Sequence, residues 1–418
     1  QGFLTLNYRL DGIALAERYG FPSQFEPGSA TPQPLIAAFE LLHWIAGISY
    51  WKAGCPRQVK FECSAPDQWQ ADWLNRLYSR GLAEFAFRQG LSVAQFEVFS
   101  SNASRPPPAS VFGLDEQLLV PMGGGKDSLV AWSRLDRMGR VAATVQVGQS
   151  ALIGQVAERT GASHWQVTRE MDPKLAELNR AGAFNGHVPV TAINSAVLIV
   201  LALLRGHGGI AFANERSADE PTLIGASGET VNHQFSKSMD FEAMLDDWVR
   251  HYIAADLAVF SVLRRERELA ICRAFADLEQ FHGVFSSCNR NFHLDGPRTH
   301  RWCGDCPKCR FVFLGLAPFL LPDKLRAIFG ADLLDDPLQI TGFRELLALD
   351  SEKPFECVGE IDEARSAIKA LSQRLAWREH VVVQALAPRL AELQVPALND
   401  LCRPSGPHLI PEALLNEA

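Results

Sequence analysis

The chain has 418 residues, 47% of them hydrophobic and 21% charged, with a formal net charge of −8. That length exceeds one ordinary core, so two or three folding units are expected. The acidic balance, with no basic stripe interleaved with aromatics, argues against nucleic-acid binding and against a membrane-surface protein.

The start, QGFLTLNYRL, carries no signal-peptide pattern. Up to about residue 115 the chain reads as a separate α+β unit. Alternation in FLTLNY and VKFEC predicts strands, and PLIAAFELLHWIAGISYWKAG predicts a buried helix between them. The run SNASRPPPASVFG, residues 101–113, closes that unit as an extended linker.

From 116 onward strands and helices alternate. LLVPM, RVAATVQVG, HWQVTRE and GIAFAN predict strands; SLVAWSRLDRMG, IGQVAERTG and TAINSAVLIVLALLRGHG predict helices. The last of these lies in the longest apolar stretch, broken by Pro189, Thr191 and Asn194, and is too short and too interrupted for a membrane span. From about 331 the pattern is helical, with EIDEARSAIKALSQRLAWREHVVVQALAPRLAELQV forming one or two amphipathic helices. The expected fold is α/β: a parallel-sheet core at 116–330, an N-terminal α+β domain at 1–115 and a helical C-terminal region at 331–418.

The segment VPMGGGKDSLVAW, residues 120–132, places three glycines between a strand and a helix. Glycines let the backbone approach a ligand, and the first helical amides point at it, which makes an anion site. Lys126 adds a point charge, Ser128 a hydroxyl, and Asp127 a carboxylate suited to Mg²⁺ or to the first helical turn. A Walker loop is excluded, because Val120 stands where its first glycine belongs. A dinucleotide fingerprint is excluded by Ser128 at the third glycine position. The plain alternative is a glycine-rich turn with no ligand.

The loop resembles the S-G-G-x-D-S loop of PP-loop ATP pyrophosphatases. Gly124, Gly125, Asp127 and Ser128 match it, while Gly123 replaces the first serine. The resemblance implies a PP-loop core whose loop wraps the pyrophosphate end of ATP. It also puts the adenine near Gln146, Val147 and Gly148, at the end of the next strand.

Nine cysteines are present, and Cys303, Cys306 and Cys309 form C-x2-C-x2-C, with Cys288 fourteen intervening residues upstream. Such spacing in a long chain points to metal or catalysis rather than to a disulfide framework, and hence to a reducing, cytoplasmic setting. Four thiols suit structural zinc; free thiols and an iron–sulfur cluster are the alternatives that spacing leaves open. The arrangement resembles the zinc site of QueC-like PP-loop enzymes.

Three further segments hold more polar residues than a core needs. FANERSADEPT carries Glu215, Arg216 and Asp219; GETVNHQFSKSMDFE carries His233 and Lys237; SEKPFECVGE carries Lys353 and Cys357. Together with GGGKDS they resemble the MurL family of UDP-N-acetylmuramoyl-L-alanyl-L-glutamate epimerases, from YRLDGI to KPFECVGEIDEARSAI. That resemblance implies an enzyme of peptidoglycan-precursor synthesis that turns the terminal L-Glu of UDP-MurNAc-L-Ala-L-Glu into D-Glu, with ATP and Mg²⁺. Adenylating the carboxylate first makes its α-hydrogen acidic enough to remove. His233, Cys357, Glu215 and Asp219 are the candidate proton carriers by residue type, each with a structural or binding role as the alternative. Arg216, Lys237 and Lys353 are candidates for the substrate's diphosphate and carboxylates. Two other classes remain: another PP-loop adenylating enzyme, such as an amide ligase or a QueC-like nucleobase enzyme, and a non-catalytic nucleotide-binding module. The oligomeric state is not legible.

Overall fold

The computed structural model describes residues 2–22, 31–62, 64–221, 223–224, 230–292, 301–349, 354, 356 and 358–415. Seven strands form one sheet: β1 (Gly2–Leu10), β2 (Ile13–Phe21), β3 (Asp115–Pro121), β4 (Val141–Val147), β5 (His164–Glu170), β6 (His207–Phe212) and β7 (Ala258–Ser261). Their order is β1-β2-β5-β4-β3-β6-β7. The run β5-β4-β3-β6-β7 is parallel, and the β1–β2 hairpin joins it antiparallel through Arg18 opposite Glu170. The N-terminal strands therefore lie in the same sheet as the loop-bearing strand β3.

Helices cover both faces, as parallel strands require. On one face α1 (Gln33–Ala46) packs against α3 (Val190–Arg205), whose apolar run is buried almost throughout. The left-handed Gly206 ends α3, since only glycine takes φ +77° without strain. On the other face lie α2 (Lys126–Arg137), α4 (Glu268–Ala276), α5 (Pro307–Leu316) and α6 (Ile361–Ser372). No helix among the described residues is long and apolar enough to cross a membrane.

The alternating elements from LLVPM to GIAFAN form as expected. VKFEC does not: residues 59–62 form no strand, although among the described residues β1 leaves the outer edge of the sheet unpaired. Val59 and Phe61 instead line an aromatic cavity with Trp44. The true partner of β1 is IALAERYGF, which buries Leu15, Tyr19 and Phe21. The amphipathic tail splits into α6 and a second helix, Val381–Leu386.

Candidate functional site

Residues Gly123–Gly125 link the end of β3 to the start of α2 at the carboxyl edge of the sheet, where open α/β sheets bind ligands. Gly124 holds φ +78°, and a Cβ there would lie 2.7 Å from Leu152 Cδ2. Gly125 caps α2 with no side-chain hydrogen bond, and a Cβ there would lie 2.7 Å from Ser287 Oγ, so only glycine fits at the helix start without moving Ser287. The backbone N–H of Ser286 donates to Gly124 O (3.0 Å), and Ser128 Oγ donates to Gly125 O (3.0 Å). Gly124→Ala is expected to cost about 1–2 kcal/mol from left-handed backbone strain and, where the loop holds a nucleotide as its sequence suggests, to weaken that binding. Thermal unfolding and nucleotide titration measure the two effects.

The loop borders a cavity of about 520 Å³. Among its lining side chains are Asp127, Ser128, Asn214, Glu215, Lys237 and Lys308. Val147 lines it from β4. Gln146 points away, donating to Gly148 O (3.2 Å) and Ser150 O (3.3 Å). Gly148 turns the chain at φ +86° and does not reach the cavity.

Lys126 does not line the cavity. It is buried beneath the loop at 1% exposure, ion-paired to Asp127 and to Glu268 at the start of α4. Burial opposes its charge, but Asp127 and Glu268 together raise its pKa well above the ordinary lysine value. Burial likewise opposes the Asp127 carboxylate, while Lys126 and then Lys308 hold its pKa below the usual range. The ammonium groups that line the cavity are those of Lys237 and Lys308. Lys308 Nζ lies 4.0 Å from Glu268 Oε1.

Glu215 is the unusual acid. Burial, reinforced by the carboxylates of Glu268 and Asp127, pushes its pKa up to about 7. A carboxyl poised near neutrality in a ligand-sized cavity can both give and take a proton. Its position is fixed by Arg264, whose Nη1 donates to Glu215 O (3.0 Å) and whose Nη2 bonds Glu242 (2.7 Å).

The other candidates fall elsewhere. Asp219 does not line the cavity; its Oδ1 accepts from the backbone of Met239 (2.7 Å). Arg216 turns toward the C-terminal segment, where it bonds Ser405. His233 is half-buried beside His187, whose charged form it disfavours, and does not line the cavity. Lys353 and Cys357 lie outside the described residues. Their neighbour Glu356 accepts from Asn289 Nδ2 (2.6 Å), and Asn289 lines the cavity.

The four predicted thiols converge. Cys288, Cys303, Cys306 and Cys309 place their Sγ atoms within 4.8 Å of one another. The Cys303–Cys309 and Cys306–Cys309 separations are 3.7 and 3.4 Å. Tetrahedral Zn–S bonds of about 2.3 Å put sulfurs roughly 3.8 Å apart, so the donor set fits zinc. Backbone amides of Asp305 and Cys309 donate to Cys303 Sγ and Cys306 Sγ, both at 3.4 Å, which orients two of the ligands. The left-handed Gly304 makes the turn that brings Cys303 and Cys306 together.

This knot is continuous with the cavity. Ser286, Ser287 and Asn289 flank Cys288, Lys308 sits between Cys306 and Cys309, and all four line the cavity. Glu268 and Lys308 were not singled out from sequence. Lys308 carried a signal, since any residue inside WCGDCPKC is held by the thiols; Glu268, in RRERELA, carried none.

Family models for the MurL N-terminal domain and the MurL C-terminal domain match residues 1–262 and 284–400. The chain belongs to the MurL family. A protein of Xanthomonas oryzae pv. oryzae named UDP-N-acetyl-alpha-D-muramoyl-L-alanyl-L-glutamate epimerase is 44% identical over 99% of this chain and 93% of its own length. Proteins of the same name from Micromonospora sp. and Salinispora tropica are 40% and 39% identical, over 92% of this chain and 86% and 84% of theirs. Both MurL segments build the cavity: Glu215 and Lys237 come from the first, Ser286 and Lys308 from the second. Glu268, which anchors Lys126, lies between them.

Proposed function

We propose that this chain is a cytoplasmic, ATP-dependent epimerase. It converts the terminal L-Glu of UDP-MurNAc-L-Ala-L-Glu to D-Glu through an acyl-adenylate, releasing AMP and pyrophosphate, within a PP-loop core. Family membership supports the overall reaction. The observation that carries the mechanism is Glu215, a carboxyl with a pKa of about 7 in the cavity beside the glycine loop.

The physical need for ATP is electrostatic. Removing a proton beside a carboxylate builds a second negative charge on the same few atoms. Converting the carboxylate to a neutral mixed anhydride removes that penalty, and the enolate that follows is far easier to stabilise. Water then cleaves the anhydride to free the D-glutamyl product and AMP.

The glycine loop and the first amides of α2 receive the phosphates. Lys237 and Lys308 offset their charge. Lys126 acts indirectly: it ties Asp127 to Glu268 and so fixes the loop on α4. A magnesium ion would be held by Asp127, which lines the cavity with its side chain 26% exposed, and would neutralise the departing pyrophosphate. Zinc in the four-thiol knot would be structural, since four protein ligands leave no open position. Glu215 in its ionised form takes the α-proton from one face of the carbon; inversion requires a proton to return to the opposite face, from a second acid or from a Glu215 side chain that has crossed to that face.

Two ATP analogues test the cleavage position. β,γ-Methylene-ATP keeps the α–β linkage and is expected to support D-glutamate formation. α,β-Methylene-ATP blocks AMP release and is expected to abolish it. Turnover with the α,β analogue would mean that phosphorylation, not adenylation, activates the substrate.

A further inference from the structure

A second cavity, of about 830 Å³, lies between the β1–β2 hairpin, the end of α1, the short helix Ile48–Gly54 and residues 56–62. Its walls are aromatic: Tyr8, Trp44, Tyr50, Trp51 and Phe61. Tyr8 stacks on Tyr50 with centroids 4.8 Å apart and planes at 24°. The polar ends of the rings are already used. Tyr8 Oη donates to His43 O (3.0 Å), and Trp51 Nε1 donates to Pro56 O (3.1 Å). The cavity therefore offers ring surface rather than hydrogen-bond donors from those side chains.

Its rim is charged. Arg9 and Lys60 line it, are exposed, and have no ion pair or side-chain hydrogen bond among the described residues. Asp11 and Glu62 lie on the same rim. Two unpaired cations beside stacked rings suit a planar base that carries phosphate. The two carboxylates suit sugar hydroxyls.

The topology points this cavity toward the reacting centre. Arg18 pairs with Glu170, the last residue of β5, so residues 13–17 of β2 and the turn at Asp11–Gly12 overhang the carboxyl edge of the parallel strands. The glycine loop after β3 stands at that same edge. Four strand steps separate β1 from β3, which at ~4.8 Å each is about 19 Å.

We infer that this aromatic cavity binds the uridine diphosphate end of the sugar-nucleotide substrate, with the base among the rings and the diphosphate at Arg9 and Lys60. The inference rests on the substrate proposed above. In that substrate a diphosphate, a sugar and a dipeptide linker separate the uracil from the reacting carbon, so the two ends need sites well apart.

The test is calorimetric titration of the full chain with UDP alone, beside the double variant Arg9→Gln/Lys60→Gln. The parent is expected to bind UDP and the variant to bind about tenfold more weakly, the scale of a lost charge-assisted contact. In turnover with UDP-MurNAc-L-Ala-L-Glu the variant is expected to raise KM by a similar factor while keeping kcat. With MurNAc-L-Ala-L-Glu, which lacks the nucleotide, parent and variant are expected to be equal. UDP binding that is absent in the parent, or unchanged in the variant, overturns the assignment. If UDP binds as described but no D-glutamate forms, the proposed reaction fails and the nucleotide subsite stands.

Discussion

Glu215→Gln is expected to lower D-glutamate formation by about 10²- to 10⁴-fold, the usual scale for removing a proton carrier. AMP release is expected to persist, because the glycine loop, Lys237 and Lys308 are untouched. That split separates proton transfer from activation: the variant forms the mixed anhydride and hydrolyses it without inversion. D-Glutamate formed at the parental rate would remove Glu215 from the mechanism. The same substitution has an opposite effect on stability. Glu215 has a folded pKa of about 7 against an ordinary 4.5, because burial disfavours its charge. Between those values the folded chain holds a proton that the unfolded chain has lost, so stability falls as pH rises through that window. The neutral amide escapes this loss, which by linkage is about 3 kcal/mol at most. Thermal unfolding from pH 4.5 to 8 is expected to show the variant gaining on the parent as pH rises. A constant difference would mean that Glu215 is already ionised near pH 4.5.

Removing the metal is expected to disable the ATP site without touching a residue that contacts ATP. Purified, unchelated protein is expected to carry one zinc per chain by elemental analysis. Cys309→Ser, or a strong chelator, is expected to release it, lower the melting temperature by about 10 °C or more, and expose residues 286–292 and 301–309 to protease. The reason is geometric. The thiols clamp two segments that bring Ser286, Ser287, Asn289 and Lys308 to the cavity, and Ser286 holds Gly124 through its backbone. Nucleotide affinity and zinc content are therefore expected to fall together. Protein without zinc that binds ATP and melts normally would make the thiols incidental.

Much of this was legible because local chemistry fixed it. GGGKDS between a strand and a helix specified a loop at the carboxyl edge, and C-x2-C-x2-C with a fourth cysteine specified a cluster. Glu215 was legible as a polar residue just after a strand, but its pKa was not, since it depends on Glu268 and Asp127 arriving from other elements. The GGGKDS pattern suggests Lys126 as a phosphate contact, yet its side chain is claimed by Glu268, a residue 142 positions away. The hairpin shows the same limit. IALAERYGF alternates imperfectly and gives no clear strand signal, and the alternation of VKFEC does not make it a strand, although β1's outer edge is free among the described residues. β7 is four residues long and buried mainly by its neighbours, so its period was too short to register. Asp219 and Arg216 had the right residue types in the right segment, but a four-residue turn of helix carries their side chains away from the cavity.

The most direct test of the central claim is an end-point assay with ATP, Mg²⁺ and UDP-MurNAc-L-Ala-L-Glu. It reads AMP release and, after acid hydrolysis, the chirality of glutamate in the same sample. The account predicts D-glutamate together with AMP, and neither when ATP is left out. D-Glutamate formed without ATP, or AMP formed without D-glutamate by the intact protein, would contradict it.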